Sequence, residues 1–244
     1  KTGKGEQMRQ HLTALLVVLA LPLVVACGET ADSTSQSDGP AATPAPEISG
    51  IEAGELPPVP THWTHEGDIG NGQGPVGADA LLAGTADPAQ WLLYGGDYAN
   101  TRHSPITELN PTAVRDLRVA WAFPTGTLGQ FEVSPVLYDG ILYITASYNR
   151  LFALDPKTGE IYWRYDHPQP GDLKICCGPV NRGVAISGDL VLMATLDARL
   201  LAFHRKTGNL VWNVEIAPYV DGFSATSAPL IVKDKAIIGI AGGE

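Results

Sequence analysis

Apolar positions along this chain fall into two textures that meet near residue 90. Leu12 to Ala26 form one nearly unbroken apolar run, "LTALLVVLALPLVVA". That is shorter than the roughly 20 residues of a membrane-spanning helix and suits a secretory signal. Beyond Trp91 the apolar runs are short and rich in β-branched or aromatic residues: "GILYITA" (140–146), "LVLMATL" (190–196), "APLIV" (228–232) and "AIIGIAG" (236–242). Asp-Gly, Gly-Asp or Lys-Asp pairs punctuate them, so each reads as a strand bounded by turns. Helical periodicity is weak, except over "NPTAVRDL" (110–117), where Asn110 is placed to cap a short helix with Pro111 at its first position. The stretch between the two textures has no period. Residues 28 to about 60 are rich in Ser, Thr, Ala, Pro and acidic residues, and "THWTHEGDIGNGQGPVG" continues in the same way. We expect a disordered tether over 28–87, with His62 and His65 solvated upon it.

The strand-rich part repeats. "DGILYITASYNRLFALDPKTGEIYW" (139–163) aligns without gaps to "GDLVLMATLDARLLAFHRKTGNLVW" (188–212), a period of 49 residues. The copies share Arg150 and Arg199, Ala153 and Ala202, a Lys-Thr-Gly turn at 157–159 and 206–208, and a closing Trp163 or Trp212. "APLIVKDKAIIGIAGGE" begins a third copy, and "VAWAFPTG" (119–126) has the form of the end of an earlier one. About four strands and a tryptophan in 40–50 residues is the signature of a β-propeller blade. A single four-stranded sheet cannot cover both its faces, so blades stack, and the Thr-Gly turn and closing tryptophan are expected to join neighbours. The predicted class is all-β, a propeller over 88–244 of which about the first three blades are present. A closed propeller needs at least about four blades, so the chain reads as an incomplete protein, inactive alone.

Charge narrows the partners. Sixteen basic against 26 acidic side chains leave a formal charge of −10. This disfavours nucleic acid or an anionic membrane surface held by electrostatics. Residues 1–27 read as upstream translated sequence before Met8 followed by a signal peptide. Its end, Val24-Val25-Ala26-Cys27, resembles a bacterial lipobox, in which the cysteine sulfur takes a diacylglycerol. With Gly28 rather than aspartate next, the expected location is the periplasm, lipid-anchored to the outer membrane. An exported protein permits disulfides. With Cys27 lipidated, only Cys176 and Cys177 remain. Adjacent Cα atoms lie about 3.8 Å apart across a trans peptide, and an ordinary bridge spans about 4.4–6.8 Å. Such a pair is therefore either two thiols or a small strained ring, and no staple between distant strands.

Three stretches together carry a resemblance: "WLLYGGDYANTRHSPITELNPTAVRDLRVAWAFPTG", the Ala-x-x-x-x-Lys-Thr-Gly-x-x-x-Trp repeats, and "CCGPVNRGVA". From Trp91 to Glu244 the chain resembles the N-terminal part of the pyrroloquinoline-quinone (PQQ)-dependent alcohol dehydrogenases of the methanol/ethanol type, which are eight-bladed propellers. The resemblance implies a Cys176–Cys177 disulfide ring packed on one face of the quinone. It implies Arg182 and Thr226 at cofactor carboxylates, Glu132 hydrogen-bonded to the cofactor, and Gly242 and Gly243 as a backbone cradle. Glu244 would be a metal ligand, for Ca²⁺ or a lanthanide. Ala241 departs from the family, where a serine hydroxyl is common, and Ser224 is the neighbour that could replace it.

The implied reaction is oxidation of a primary alcohol to an aldehyde, with electrons passed to a cytochrome c. The resemblance puts the catalytic aspartate, the asparagine metal ligand and a stacking tryptophan in later blades, so no residue here is assigned as the catalytic base. The chain carries no Cys-x-x-Cys-His haem motif. A competing reading is a non-enzymatic outer-membrane lipoprotein propeller that acts as an assembly scaffold. Such a scaffold has no chemical use for adjacent cysteines, Arg182 and a Gly-Gly-Glu turn together. A third is a degenerate quinoprotein that kept half its site.

Overall fold

The structure, a computed structural model, describes residues 62–65, 67–175 and 178–242. Cys27, the Cys176–Cys177 pair, Gly243 and Glu244 lie outside them. In chain order the elements are β1 (His62–Thr64), a short helix α1 (Ala78–Ala83), β2 (Val136–Tyr138), β3 (Ile141–Ala146), β4 (Arg150–Leu154) and β5 (Ile161–Asp166). There follow β6 (Ala185–Ser187), β7 (Leu190–Ala194), β8 (Arg199–His204), β9 (Leu210–Glu215), β10 (Leu230–Val232) and β11 (Lys235–Ile237). They build an antiparallel sheet β1-β5-β4-β3-β2, a second β6-β7-β8-β9, and the hairpin β10-β11. The fold is thus an all-β propeller segment: two four-stranded blades, the first extended by β1, and the opening hairpin of a third.

The repeat holds in register as well as in sequence. Ala153 pairs with Trp163 and Ala202 with Trp212, and each ladder slips at the next residue, between Ala153/Leu154 and Ala202/Phe203. Alternation along β3, β4, β7 and β8 sends Tyr143, Leu151, Met193 and Leu201 into one core with the wholly buried Trp163. Trp163 stacks on Phe203 across the two sheets at 6.3 Å between ring centroids. The expected tryptophan joint is present between the two blades through Trp163, and again where Trp121, outside any strand, docks on the first. The Trp121 indole N–H donates to the Pro156 carbonyl at 3.1 Å and that of Trp163 to the Arg205 carbonyl at 2.8 Å. Each ring also lies flat against the Lys-Thr-Gly glycine of the following turn. A Cβ on Gly159 would come within 2.6 Å of Trp121, and one on Gly208 within 2.6 Å of Trp163. Both glycines have positive φ, 74° and 68°, which other residues adopt at a cost. Gly208→Ala is therefore expected to lower stability by about 2–3 kcal/mol through strain and overpacking, read as a shift in the urea midpoint.

The end of the expected tether is a correction. Residues 62–64 form β1, which adds antiparallel to the free edge of β5, and further on Ile69, Val76 and Leu81 are buried. Val76 forms a bridge with Gly188 and Trp91 one with Leu137, so residues 67–93 wrap both sheets. Glycines and prolines break their period because the segment covers a surface, and the regular element it forms, α1, is only six residues long. The expected helix over 110–117 is a single 3₁₀ turn, Ala113–Asp116, and the Asn110 carboxamide accepts from the Thr112 and Ala113 N–H groups as a cap should. "VAWAFPTG" is not a strand, although Trp121 docks as described and Phe123 meets Phe152 edge-on at 5.0 Å.

Candidate functional site

Glu132, Arg182 and Thr226 each stand three or four residues before the first strand of a sheet, β2, β6 and β10 respectively. Stacked sheets bring those entry segments side by side. The Ser134 N–H donates to the Arg182 carbonyl at 3.1 Å, and the Arg182 N–H to the Thr226 carbonyl at 2.9 Å. Gly183 permits the approach: its φ is 129°, and a Cβ there would meet the Ser134 carbonyl at 2.8 Å. The backbone thus fixes where Arg182 begins, and the side chains meet beyond it.

One Arg182 Nη lies 2.7 Å from Glu132 Oε2, and the other donates to Thr226 Oγ1 at 2.6 Å. The Arg182 and Glu132 side chains remain 36% and 40% exposed. An ion pair so open contributes only about 0–1 kcal/mol to folding, too little to explain three polar residues converging from three segments. A planar guanidinium left over a third exposed beside a hydroxyl is instead suited to an anionic ligand, carboxylate above all.

The remaining expected positions divide in two. Ser224 and Ala241 pair through reciprocal backbone bonds of 2.8 and 2.9 Å, two residues along the chain from Thr226. Gly242 follows with φ 94°, and a Cβ on it would fall 1.9 Å from the Gly222 carbonyl. Its glycine identity is therefore already demanded by backbone packing, whatever it faces. Cys176, Cys177, Gly243 and Glu244 are outside the described residues, and among those described no group of three His, Cys, Asp or Glu side chains is placed to hold a metal ion.

Beside Glu132, a cavity of about 210 Å³ is lined by Phe123, Thr125, Thr127, Gly129, Phe131 and Ser147. It is smaller than the roughly 300–1,000 Å³ of drug-sized ligand sites. Sequence reasoning passed over Ser134, whose N–H holds Arg182 while its hydroxyl donates to the Tyr94 carbonyl at 2.7 Å. It also passed over Asn181. The signal available for both was adjacency to Glu132 and Arg182.

Residues 91–243 match the family described as "PQQ: Glucose/ethanol/alcohol dehydrogenase, beta-propeller domain". Over 172 residues the chain is 41% identical to the quinoprotein alcohol dehydrogenase PedH of Pseudomonas putida, covering 69% of this chain and 29% of that one. It is 37% identical over 171 residues to a lanthanide-dependent methanol dehydrogenase of Methylacidiphilum fumariolicum, with 68% and 28% covered. Among solved structures, a europium-containing methanol dehydrogenase superposes with a TM-score of 0.65 at 37% identity, over 68% of this chain and 30% of that one. The chain spans less than a third of the length of each of these three. With the match running from Trp91 through both blades and the arginine site, this chain belongs to the PQQ-dependent alcohol dehydrogenase family of β-propellers.

Proposed function

We propose that this chain forms part of the quinone site of a dehydrogenase that oxidises primary alcohols to aldehydes in the periplasm and passes the electrons to a cytochrome c. The observation that carries the reading is the convergence of Glu132, Arg182 and Thr226 on one exposed guanidinium fork. The donor set fits a planar quinone bearing carboxylates: Arg182 offers charge and two parallel N–H directions, and Thr226 a hydroxyl. Bound there, the quinone would supply the two-electron acceptor for hydride leaving the alcohol carbon. Arg182 holds and orients a cofactor carboxylate, and Glu132 hydrogen-bonds the cofactor while keeping the guanidinium in place when no ligand competes. Cys176 and Cys177, joined as a disulfide, would cover one face of the ring and exclude water from it. Gly242 and Gly243 would bring backbone N–H groups close to the ligand, and Glu244 would offer hard oxygen to Ca²⁺ or a lanthanide. A lipid on Cys27 anchors the protein to the outer membrane.

The names of the relatives, which pair a quinone with ethanol or butanol and a lanthanide with methanol, support the substrate class. The test is alcohol-dependent reduction of a dye by the full-length protein, with PQQ and with Ca²⁺ or a lanthanide supplied separately. Turnover that requires both quinone and metal is expected. Tight quinone binding without turnover with either metal would remove the activity, and absence of quinone binding would remove the whole reading.

A further inference from the structure

The segment that runs from β5 to β6 carries Cys176, Cys177 and Arg182, and its two described ends are gripped by one turn. That turn is Tyr148–Asn149, between β3 and β4, both residues left-handed with φ of 64° and 55°. Upstream of the cysteines, Gln169 Nε2 donates to the Tyr148 carbonyl at 3.1 Å. The His167 N–H donates to the Asn149 carbonyl at 3.3 Å. Downstream, the Tyr148 N–H donates to the Pro179 carbonyl at 2.9 Å, and the Asn181 carboxamide completes the grip. Asn181 Nδ2 donates to Asn149 Oδ1 at 3.0 Å and to the Ala194 carbonyl at 2.8 Å, while its Oδ1 accepts from the Gly183 N–H at 3.1 Å. A backbone carbonyl can only accept and a backbone N–H only donate, so these two partners fix which way the amide faces.

Asn181 and Asn149 are 2% and 0% exposed. Burying two carboxamides loses their hydration, and bonds between them return little net stability. An apolar pair would fill the same space at less risk. What the carboxamides add is direction, since a satisfied buried network admits one arrangement. Asn181 is bonded through its own peptide to Arg182, and its side chain ties the flanking Gly183 N–H to both sheets.

We propose that Asn181 is a positioning residue of the cofactor site: by locking onto the Tyr148–Asn149 turn it sets the direction in which Arg182 meets a quinone carboxylate. This rests on the quinone reading above. Asn181 touches no ligand itself and acts through Arg182.

The test uses the full-length protein freed of cofactor and titrated with PQQ at fixed Ca²⁺, following quenching of tryptophan fluorescence, with a thermal melt of each variant. Asn181→Ala is expected to weaken quinone binding at least about tenfold, from the loss of buried, geometry-setting bonds. Added to Arg182→Ala, the same change should cost less than about twofold, because the group it positions is gone. Wild-type affinity in Asn181→Ala overturns the proposal, and so does a full tenfold loss that persists in the Arg182→Ala background, which marks support of the fold alone. Should Asn181→Ala not fold, Asn149→Gly removes one acceptor and keeps the left-handed turn. Roughly threefold weaker binding supports the proposal there, and unchanged binding overturns it. If Arg182→Ala weakens binding while both asparagine variants leave it intact, the quinone reading survives and this inference does not.

Discussion

Arg182→Ala should weaken PQQ binding to the full-length protein by about 100-fold while leaving its melting temperature nearly unchanged. The separation follows from how the residue is held. Its backbone N–H and carbonyl make the bonds to Thr226 and Ser134, and these survive truncation. The side chain adds to stability only an ion pair left more than a third open on both partners. In the ligand complex the same guanidinium would face a carboxylate away from bulk water. Hydrogen bonds to charged groups are then worth about 1.5–3 kcal/mol, and about 1.4 kcal/mol is a factor of ten. Arg182→Lys keeps the charge but has no planar fork to serve Glu132, Thr226 and a ligand together. About tenfold weaker binding is expected for it. Fluorescence titration of cofactor-free protein reads both values. Equal affinity for wild type and Arg182→Ala would take the guanidinium out of the site.

At the opposite ends of the strands, Arg205→Met is expected to destabilise the protein by about 3–5 kcal/mol, the usual consequence of leaving one member of a buried ion pair alone. Asp139 is 1% exposed and Arg205 2%. Arg205 Nη1 donates to Asp139 Oδ2 at 2.7 Å, Nε to Asp189 Oδ1 at 3.0 Å, and Nη2 to the Gln73 carbonyl at 2.6 Å. The other Asp139 oxygen accepts from the Asn71 and Gln73 N–H groups at 2.7 and 2.8 Å. This cluster clamps the wrapping segment to both sheets, so its loss frees more than one side chain. Urea unfolding of the full-length protein gives the magnitude. A change below about 1 kcal/mol would mean that Lys206, 3.5 Å from Asp139, takes over the pairing.

The same cluster sets an acid limit. Burial alone pushes the Asp139 carboxyl upward, but the Arg205 guanidinium and the Gln73 and Asn71 N–H groups outweigh it and hold the carboxyl below its ordinary value. A carboxylate whose folded pKa is lowered contributes stability that is complete above its unfolded value, about 3.9, and is lost as pH falls through the folded one. Stability should therefore drop steeply below about pH 4. Asp139→Asn keeps a residue suited to the left-handed φ of 55° at this turn and should flatten that drop.

Strands, repeat and blade joint were legible because they are local or periodic. "GILYITA" and "LVLMATL" alternate toward a core they cannot avoid, and a Lys-Thr-Gly turn with a tryptophan four residues on recurs in each copy. The third hairpin was legible only in part. "AIIGIAG" looks apolar to its end, yet β11 stops at Ile237, and Ala241 leaves it to pair with Ser224. The pairing of β1 with β5 could not be read from "HWT", since three residues have no period and the edge they meet lies a hundred positions on. The same holds for Ile69, Val76 and Leu81, whose burial is decided by sheets formed later in the chain. In the site, Glu132, Arg182 and Thr226 could be named by resemblance. Asn149 could not, because a turn asparagine with positive φ is explained by its backbone alone and its bond to Asn181 spans 32 positions.

The tryptophan joint also has a direction. In both joints the indole comes from the earlier part of the chain, and the accepting carbonyl and glycine from the later. Trp121 precedes Pro156 by 35 residues and Trp163 precedes Arg205 by 42. Each turn closes over a tryptophan that precedes it in the chain, so a fault in one turn uncovers the ring behind it and leaves the turns further on intact.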